Sequence, residues 1–191
     1  MTTPDPASDP VALRRLHSPL GRIEVVGDGS AIIALSIEHD GLLPHDDHEE
    51  RPDAVTTLAV AQLEEYFAGH RHDFDVPVSL AGTDFQRSVW ERLVELQWGE
   101  VVSYGELGQT TGRPTAGRAV GGAVGANPVP IIVPCHRVLG TNGVITGYSA
   151  GAGIPTKAWL LAHEGIPHKM PGGSRSDPAP MLDLPSEGSA A

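Results

Sequence analysis

The chain has 191 residues, 40% of them apolar and only 5% aromatic, with a single cysteine. That length suits one large domain or two small ones. A lone cysteine excludes an internal disulfide and a cysteine-rich zinc site, and no segment approaches the roughly 18 consecutive apolar residues of a membrane span.

The net charge of −11 runs against the basic footprint of most nucleic-acid binders. Its distribution is uneven: residues 1–83 hold 5 Lys/Arg against 15 Asp/Glu, residues 84–165 hold 6 against 6, and residues 166–191 hold 2 against 3. Any nucleic-acid contact of the neutral second half therefore depends on a few placed arginines and on backbone amides, with a salt-sensitive affinity.

Met1–Pro10 lacks a basic stretch leading into an apolar run, so no signal peptide is expected. With one unpaired thiol this reads as a cytoplasmic protein. Residues 1–10 read as a loose tail. Leu13–His17, Arg22–Val26 and Ala31–Ile37 read as short strands, separated by turn residues at 18–21 and 27–30. His39–Pro52 is acidic, His-rich and aperiodic, a loop in which His39, His45 and His48 read as solvated, as do His70 and His72, rather than as metal ligands. From Asp53 the apolar residues Val55, Leu58, Ala59, Leu63, Tyr66 and Phe67 follow helical spacing, with Gly69 as the stop.

A second unit begins at residue 83. Thr83-Asp84-Phe85-Gln86 is a capping-box pattern that opens a helix with Phe85, Val89, Leu93 and Leu96 as its buried stripe and Gly99 at its end. Ser103-Tyr104-Gly105-Glu106 is a second box, opening a short helix to about Thr111. After Gly112-Arg113-Pro114, residues Thr115–Ala126 read as a Gly/Ala-rich helix, and two short helices joined by a tight turn point to a helix-turn-helix. An apolar run, Ile131-Ile132-Val133, leads into Pro134-Cys135-His136-Arg137-Val138; a Gly-rich loop spans 140–153, and Thr156–Glu164 reads as the last helix. Residues 167–191, rich in Pro, Gly and Ser, read as a disordered tail. The resulting domain plan is 11–82 and 83–166, with a tail at each end.

A lone cysteine is by default a small buried hydrophobe. Here the chain must turn at Pro134-Cys135, a His and an Arg follow at once, and a helix-turn-helix lies close by in sequence, all features of a reactive thiol.

Pro134-Cys135-His136-Arg137-Val138 closely resembles the active-site region of the O6-alkylguanine-DNA alkyltransferases. Around it lie Asn127-Pro128, Gly147-Tyr148, Ser103-Tyr104-Gly105, Arg118-Ala119-Val120-Gly121, Lys157 and Leu160-Leu161-Ala162-His163-Glu164-Gly165, in the same order as in that family. The resemblance covers residues 85–165; the first 80 residues match in general layout. It implies an α+β protein, a small ribonuclease-H-like sheet-plus-helix domain followed by an α-helical domain with a helix-turn-helix. The implied activity is stoichiometric transfer of a methyl or larger alkyl group from O6 of guanine, and from O4 of thymine, onto Cys135, with no cofactor and no metal. The implied partner is double-stranded DNA carrying the alkylated base, with no membrane, no protein partner and a monomer in solution.

The resemblance assigns the nucleophile to Cys135 and its activation to His136 and Glu164 through a water. Tyr104 becomes the hydrogen-bond donor to the leaving base, and Asn127 a hinge between the recognition helix and the cysteine turn. Thr115, Ala116, Gly117, Arg118, Ala119 and Gly122 would meet DNA, with Arg118 replacing the extruded nucleotide; Tyr104, Val124, Val138, Tyr148, Ser149 and Lys157 would shape the base pocket. Each glycine in the recognition helix costs about 1 kcal/mol against alanine, which tight helix packing or close approach to a DNA groove would explain. The segment between Tyr148 and Lys157 is longer than the family pattern, which bears on the alkyl sizes accepted.

Three other functions compete: a lesion-binding protein of the same fold, in which the acceptor Cys is replaced; a helix-turn-helix regulator, whose recognition helix carries more polar base-reading side chains; and a Cys-His hydrolase, whose His lies far from its Cys in sequence.

Overall fold

The computed structural model describes residues 10–112 and 117–172. Three antiparallel strands, β1 (Ala12–Ser18), β2 (Gly21–Gly27) and β3 (Ile32–Ile37), form a sheet with β2 in the centre. The β1–β2 pair runs in regular register from Ala12 opposite Gly27 to Ser18 opposite Gly21, while the β2–β3 pair shifts at Val26/Gly27. Helix α1 (Ala54–Phe67) lies against this sheet. Asp53 caps it, its carboxylate accepting from Thr56 N at 2.7 Å. Its buried face is Thr56, Ala59, Val60, Gln62, Leu63 and Tyr66. Leu58, expected in the stripe, is exposed.

The second half is helical: α2 (Asp84–Val94), α3 (Tyr104–Thr110), α4 (Gly117–Gly125) and α5 (Ile154–His163). Both expected capping boxes form, Thr83 with Gln86 and Ser103 with Glu106. Such boxes satisfy amides that a helix start leaves open, and they fix where α2 and α3 begin. Val89, Trp90 and Leu93 are the buried side of α2, and Trp90 Nε1 donates to Ala123 O at 2.8 Å, which seats α4 on α2. Two-residue strands β4 (Val102–Ser103) and β5 (Val138–Leu139) pair in parallel and bring the start of α3 beside the segment after Cys135.

Most buried apolar residues of the two halves form one continuous cluster, from Leu16, Ile23 and Val25 of the sheet through Leu63 and Tyr66 of α1 to Trp90, Val133, Cys135 and Leu160, while Leu139, Ile145, Leu161 and Ile166 form a smaller second one. Backbone bonds also cross the boundary, Leu35 N donating to Pro128 O at 2.9 Å. Among the described residues no helix is long and apolar enough to cross a membrane.

Two sequence expectations are corrected. The chain does not loosen at residue 167: His168 is buried, and Lys169 O accepts from Ile145 N at 2.9 Å while Lys169 N donates to Gly143 O, so residues 167–172 line up beside the Gly-rich loop. Nor is the His-rich loop simply solvated. His45 Nδ1 lies 2.6 Å from Oε1 of Glu24, a carboxylate that is 1% exposed, because a buried charge on β2 needs partners that the loop supplies.

Candidate active site

The segment 127–137 delivers the thiol. Asn127 holds it as a compact turn, Nδ2 donating to Val133 O at 2.8 Å and Oδ1 accepting from Val129 N at 3.1 Å. Inside that turn Ile131 takes φ 73°, a conformation that β-branched residues rarely adopt. It is tolerated because the side chain is locked in the core and the flanking bonds over-determine the backbone. Cys135–Arg137 then form one 3₁₀ turn.

Cys135 lines a cavity of about 400 Å³ with Tyr104, Thr146, Gly147, Tyr148, Ser149, Lys157 and the inner edge of α4, Gly117, Gly121, Val124 and Gly125. Burial pushes the Cys135 thiol up from its usual value, against the opposing pull of Asn127, of the Lys157 ammonium and of the Tyr148 hydroxyl. The Tyr148 hydroxyl is buried without a hydrogen-bond partner among the described residues, and Tyr148 shares the cavity wall with Cys135. Burial, and the charge Cys135 would carry as a thiolate, keep that phenol well above its ordinary range.

Lys157 is fully buried, and Nζ donates to Val138 O at 2.6 Å and to Gly147 O at 3.3 Å. Nζ also stands 6.0 Å from the ring centres of both Tyr104 and Tyr148. Burial lowers its pKa to about 8, partly offset by the neighbouring sulfur.

Behind the cysteine lies a buried charge network. His136 Nε2 is 2.8 Å from Glu164 Oε1, and His136 Nδ1 is buried with no hydrogen-bond partner among the described residues. Arg137 grips the same carboxylate, Nε to Oε2 at 2.7 Å and Nη2 to Oε1 at 3.0 Å, while Nη1 donates to Leu96 O at 2.7 Å. The Tyr66 hydroxyl, from α1, donates to Glu164 Oε1 at 2.9 Å. Burial opposes the charge on Glu164, but His136 and Arg137 hold its pKa at about 2. Burial lowers His136 in turn, against the raising effect of Glu164. Glu164 can sit at the helix end and point inward because Gly165, at φ 69°, reverses the chain immediately after it.

Cys135, Tyr104, Val124, Tyr148, Ser149 and Lys157 therefore converge on one cavity, and His136, Glu164 and Asn127 support it from behind. Val138 does not line the cavity: its side chain is fully buried in the core, and only its carbonyl contributes, as the acceptor for Lys157. The Ser149 hydroxyl donates to Gly125 O at 2.8 Å, tying the pocket loop to the end of α4.

Arg118, Ala119 and Gly122 are exposed on α4, and Gly117 reaches the cavity rim; Thr115 and Ala116 lie outside the described residues. Among the described residues, a Cβ on Gly117, Gly122 or Gly125 would meet nothing within 4 Å, so packing against them does not require these glycines. The loop before Lys157 lies close to the sheet: a Cβ on Gly151, at φ 54°, would lie 3.0 Å from Ile37 Cγ2 and 2.7 Å from Thr156 Oγ1.

Tyr66 is a site residue that the sequence does not disclose, and Arg137, which the sequence suggests as a neighbour activating the thiol, instead binds the Glu164 carboxylate. Arg137 lay inside the quoted motif, but its partner is 27 positions away. Tyr66 carried a core signal only.

Residues 13–80 match the ribonuclease-like domain of 6-O-methylguanine DNA methyltransferase, and residues 84–166 match the DNA-binding domain of the same protein. The chain is 44% identical over 151 residues to the methylated-DNA–protein-cysteine methyltransferase of Mycobacterium tuberculosis H37Rv, covering 79% of this chain and 90% of that protein. It is 39% identical over 153 residues to the protein of the same name from Haemophilus influenzae, covering 79% and 84%. The crystal structure of M. tuberculosis OGT in complex with DNA superposes with a TM-score of 0.72 at 45% identity, covering 81% of this chain and 93% of that one. With both domain signatures present in order around Cys135, the chain belongs to the 6-O-methylguanine DNA methyltransferase family.

Proposed function

We propose that the protein repairs alkylated DNA by direct reversal, moving a methyl or larger alkyl group from O6 of guanine, and from O4 of thymine, onto Sγ of Cys135, once per molecule. The observation that carries this reading is one thiol on the wall of a cavity of about 400 Å³, with the next residue, His136, paired to Glu164.

The electrostatics define when the thiol ionises. Burial raises Cys135 and lowers His136, so at neutral pH the resting pair is thiol and neutral imidazole. His136 then acts as general base during attack. Glu164, bonded to Nε2, leaves Nδ1 to receive the proton, and adjacent residues in a tight turn suit a relay through one water better than direct contact. Sulfur attacks the saturated carbon, the carbon–O6 bond breaks, and Tyr104 donates to the departing base so that guanine leaves neutral. The thiol proton ends, in net terms, on guanine, and a thioether remains on Cys135. That product carries no carbonyl for water to attack, and a thiolate leaves carbon poorly, so the protein does not regenerate.

Access follows from α4. Its inner edge forms one wall of the cavity, and its outer face carries exposed Arg118, Ala119 and Gly122. A duplex lying along that face would present a flipped base to the cavity while Arg118 fills the gap in the stack. Flipping costs a few kcal/mol, least where pairing is already weakened.

The test is to mix the protein with a duplex carrying one O6-methylguanine and weigh its peptides. One added methylene unit on the Cys135 peptide, in equimolar yield without a second turnover, is the expected result. Repeated turnover, or modification of another residue, would sink the reading.

A further inference from the structure

We propose that Tyr66, in the ribonuclease-like half of the chain, is a positioning residue for alkyl transfer, holding the Glu164 carboxylate in the orientation from which it supports His136. This deepens the alkyl-transfer reading and rests on it.

Tyr66 is fully buried in α1. Its ring is packed by Phe67, Phe74, Trp98 and His163, with centroids 5.1 to 5.5 Å away. For that packing alone phenylalanine would serve, without a hydroxyl to desolvate. The hydroxyl makes one bond, 98 positions away in sequence, to the oxygen of Glu164 that His136 Nε2 also contacts.

Oε1 is surrounded by three donors, Tyr66 Oη at 2.9 Å, His136 Nε2 at 2.8 Å and Arg137 Nη2 at 3.0 Å. Arg137 fixes the plane of the carboxylate, and Tyr66 fixes Oε1 from the side of the other domain. When His136 takes the thiol proton, the developing imidazolium needs that oxygen at hydrogen-bond distance, and a carboxylate free to rotate would lose part of its stabilisation.

Tyr66 is clamped a second time. His163 Nε2 lies 2.8 Å from the Tyr66 carbonyl oxygen, so successive residues at the end of α5 hold one residue of α1 at both its main chain and its hydroxyl. Burial and the adjacent Glu164 charge keep the phenol protonated well beyond the ordinary tyrosine range, so it remains a donor across the working pH range. The acidic first half thereby supplies a side-chain hydrogen bond to the charge network behind Cys135.

The test is Tyr66→Phe, measured as the single-turnover rate constant at saturating O6-methylguanine duplex, with duplex affinity measured separately. The rate constant is expected to fall about 3- to 10-fold with affinity unchanged. In a His136→Ala background the same substitution should change the rate by less than about 1.5-fold, since no imidazole is left to support. An unchanged rate, a loss confined to affinity, or an equal fall in both backgrounds overturns the proposal. Should Tyr66→Phe fail to fold, site-specific replacement of Tyr66 by 3,5-difluorotyrosine keeps the ring and the hydroxyl and makes the hydroxyl more acidic. A rate change of at least about 2-fold then supports the proposal, and an unchanged rate overturns it. The unsubstituted protein in the same assay separates the two levels: if Cys135 is not alkylated there, the alkyl-transfer reading itself fails.

Discussion

Arg137 meets Glu164 as a fork on a carboxylate, Nε to Oε2 at 2.7 Å and Nη2 to Oε1 at 3.0 Å, with both side chains buried. The third nitrogen donates to Leu96 O, so the guanidinium also ties the cysteine turn to the end of α2. Two parallel bonds of this kind need a planar donor, which lysine does not offer. Arg137→Ala is expected to cost about 3–5 kcal/mol of stability, because the Glu164 charge would stay buried with its main counter-charge removed. Urea unfolding measures it; a loss below about 1 kcal/mol would mean that the carboxylate is satisfied without the fork.

Acid should weaken the fold through this same cluster. The Glu164 pKa is about 2 in the fold against an ordinary 4.5. A lowered acid contributes stability that is complete above the ordinary value and is lost as pH falls from there toward 2. His136 is lowered as well, so below its ordinary 6.5 the unfolded chain takes up that proton before the folded protein does, again favouring unfolding. Urea midpoints should therefore fall steadily from pH 7 to pH 3. Glu164→Gln should be less stable at neutral pH yet show a shallower slope between pH 4.5 and 3. An equal slope in both proteins would place the acid sensitivity elsewhere.

The Lys157 ammonium lowers the pKa of the Cys135 thiol against the raising effect of burial. Lys157→Met keeps the bulk and removes the charge. Alkylation of Cys135 by iodoacetamide should then need a higher pH, with the rate at pH 8 reduced several-fold. An unchanged pH profile would mean that the Lys157 charge does not act on the thiolate.

What could be read in the sequence divides along range of interaction. Capping is local: the Thr83/Gln86 and Ser103/Glu106 pairs close within three residues, and their side-chain types announce it. The motif around Cys135 was legible because its residue types sit together in the chain. Tyr66 was legible only as a core aromatic, since nothing local distinguishes a tyrosine whose hydroxyl reaches 98 residues onward from one that merely fills space. Val138 illustrates the opposite error. The family resemblance placed it in the pocket, but it pairs with Val102 and its side chain is buried in the core. The glycines of α4 were ambiguous for a related reason, because packing and close approach to a ligand leave the same composition, and only the surroundings of each Cα separate them.

Arg118 is exposed on the outer face of α4, so its substitution should leave the fold intact. Arg118→Ala is expected to weaken binding to an alkylated duplex and to slow transfer at limiting DNA, while melting temperature stays unchanged. Fluorescence of a 2-aminopurine placed opposite or beside the lesion would report the flipping step. Equal binding and equal fluorescence change in the variant would take Arg118 out of the DNA contact.

Gly122 offers a test in which stability and binding move in opposite directions. A Cβ there meets nothing within 4 Å, and the backbone is an ordinary helical turn, so Gly122→Ala should stabilise the free protein by about 1 kcal/mol through helix propensity alone. Gly122→Leu should also fold, because the side chain would point into open space beside Arg118 and Ala119. If the outer face of α4 comes within backbone distance of a DNA groove, the leucine would hold the helix off the duplex, and affinity should drop by at least tenfold, with alanine intermediate. A helix whose glycines served only its own packing would show the reverse, loss of stability with affinity preserved. Measuring melting temperature and duplex affinity on the same two variants decides between them.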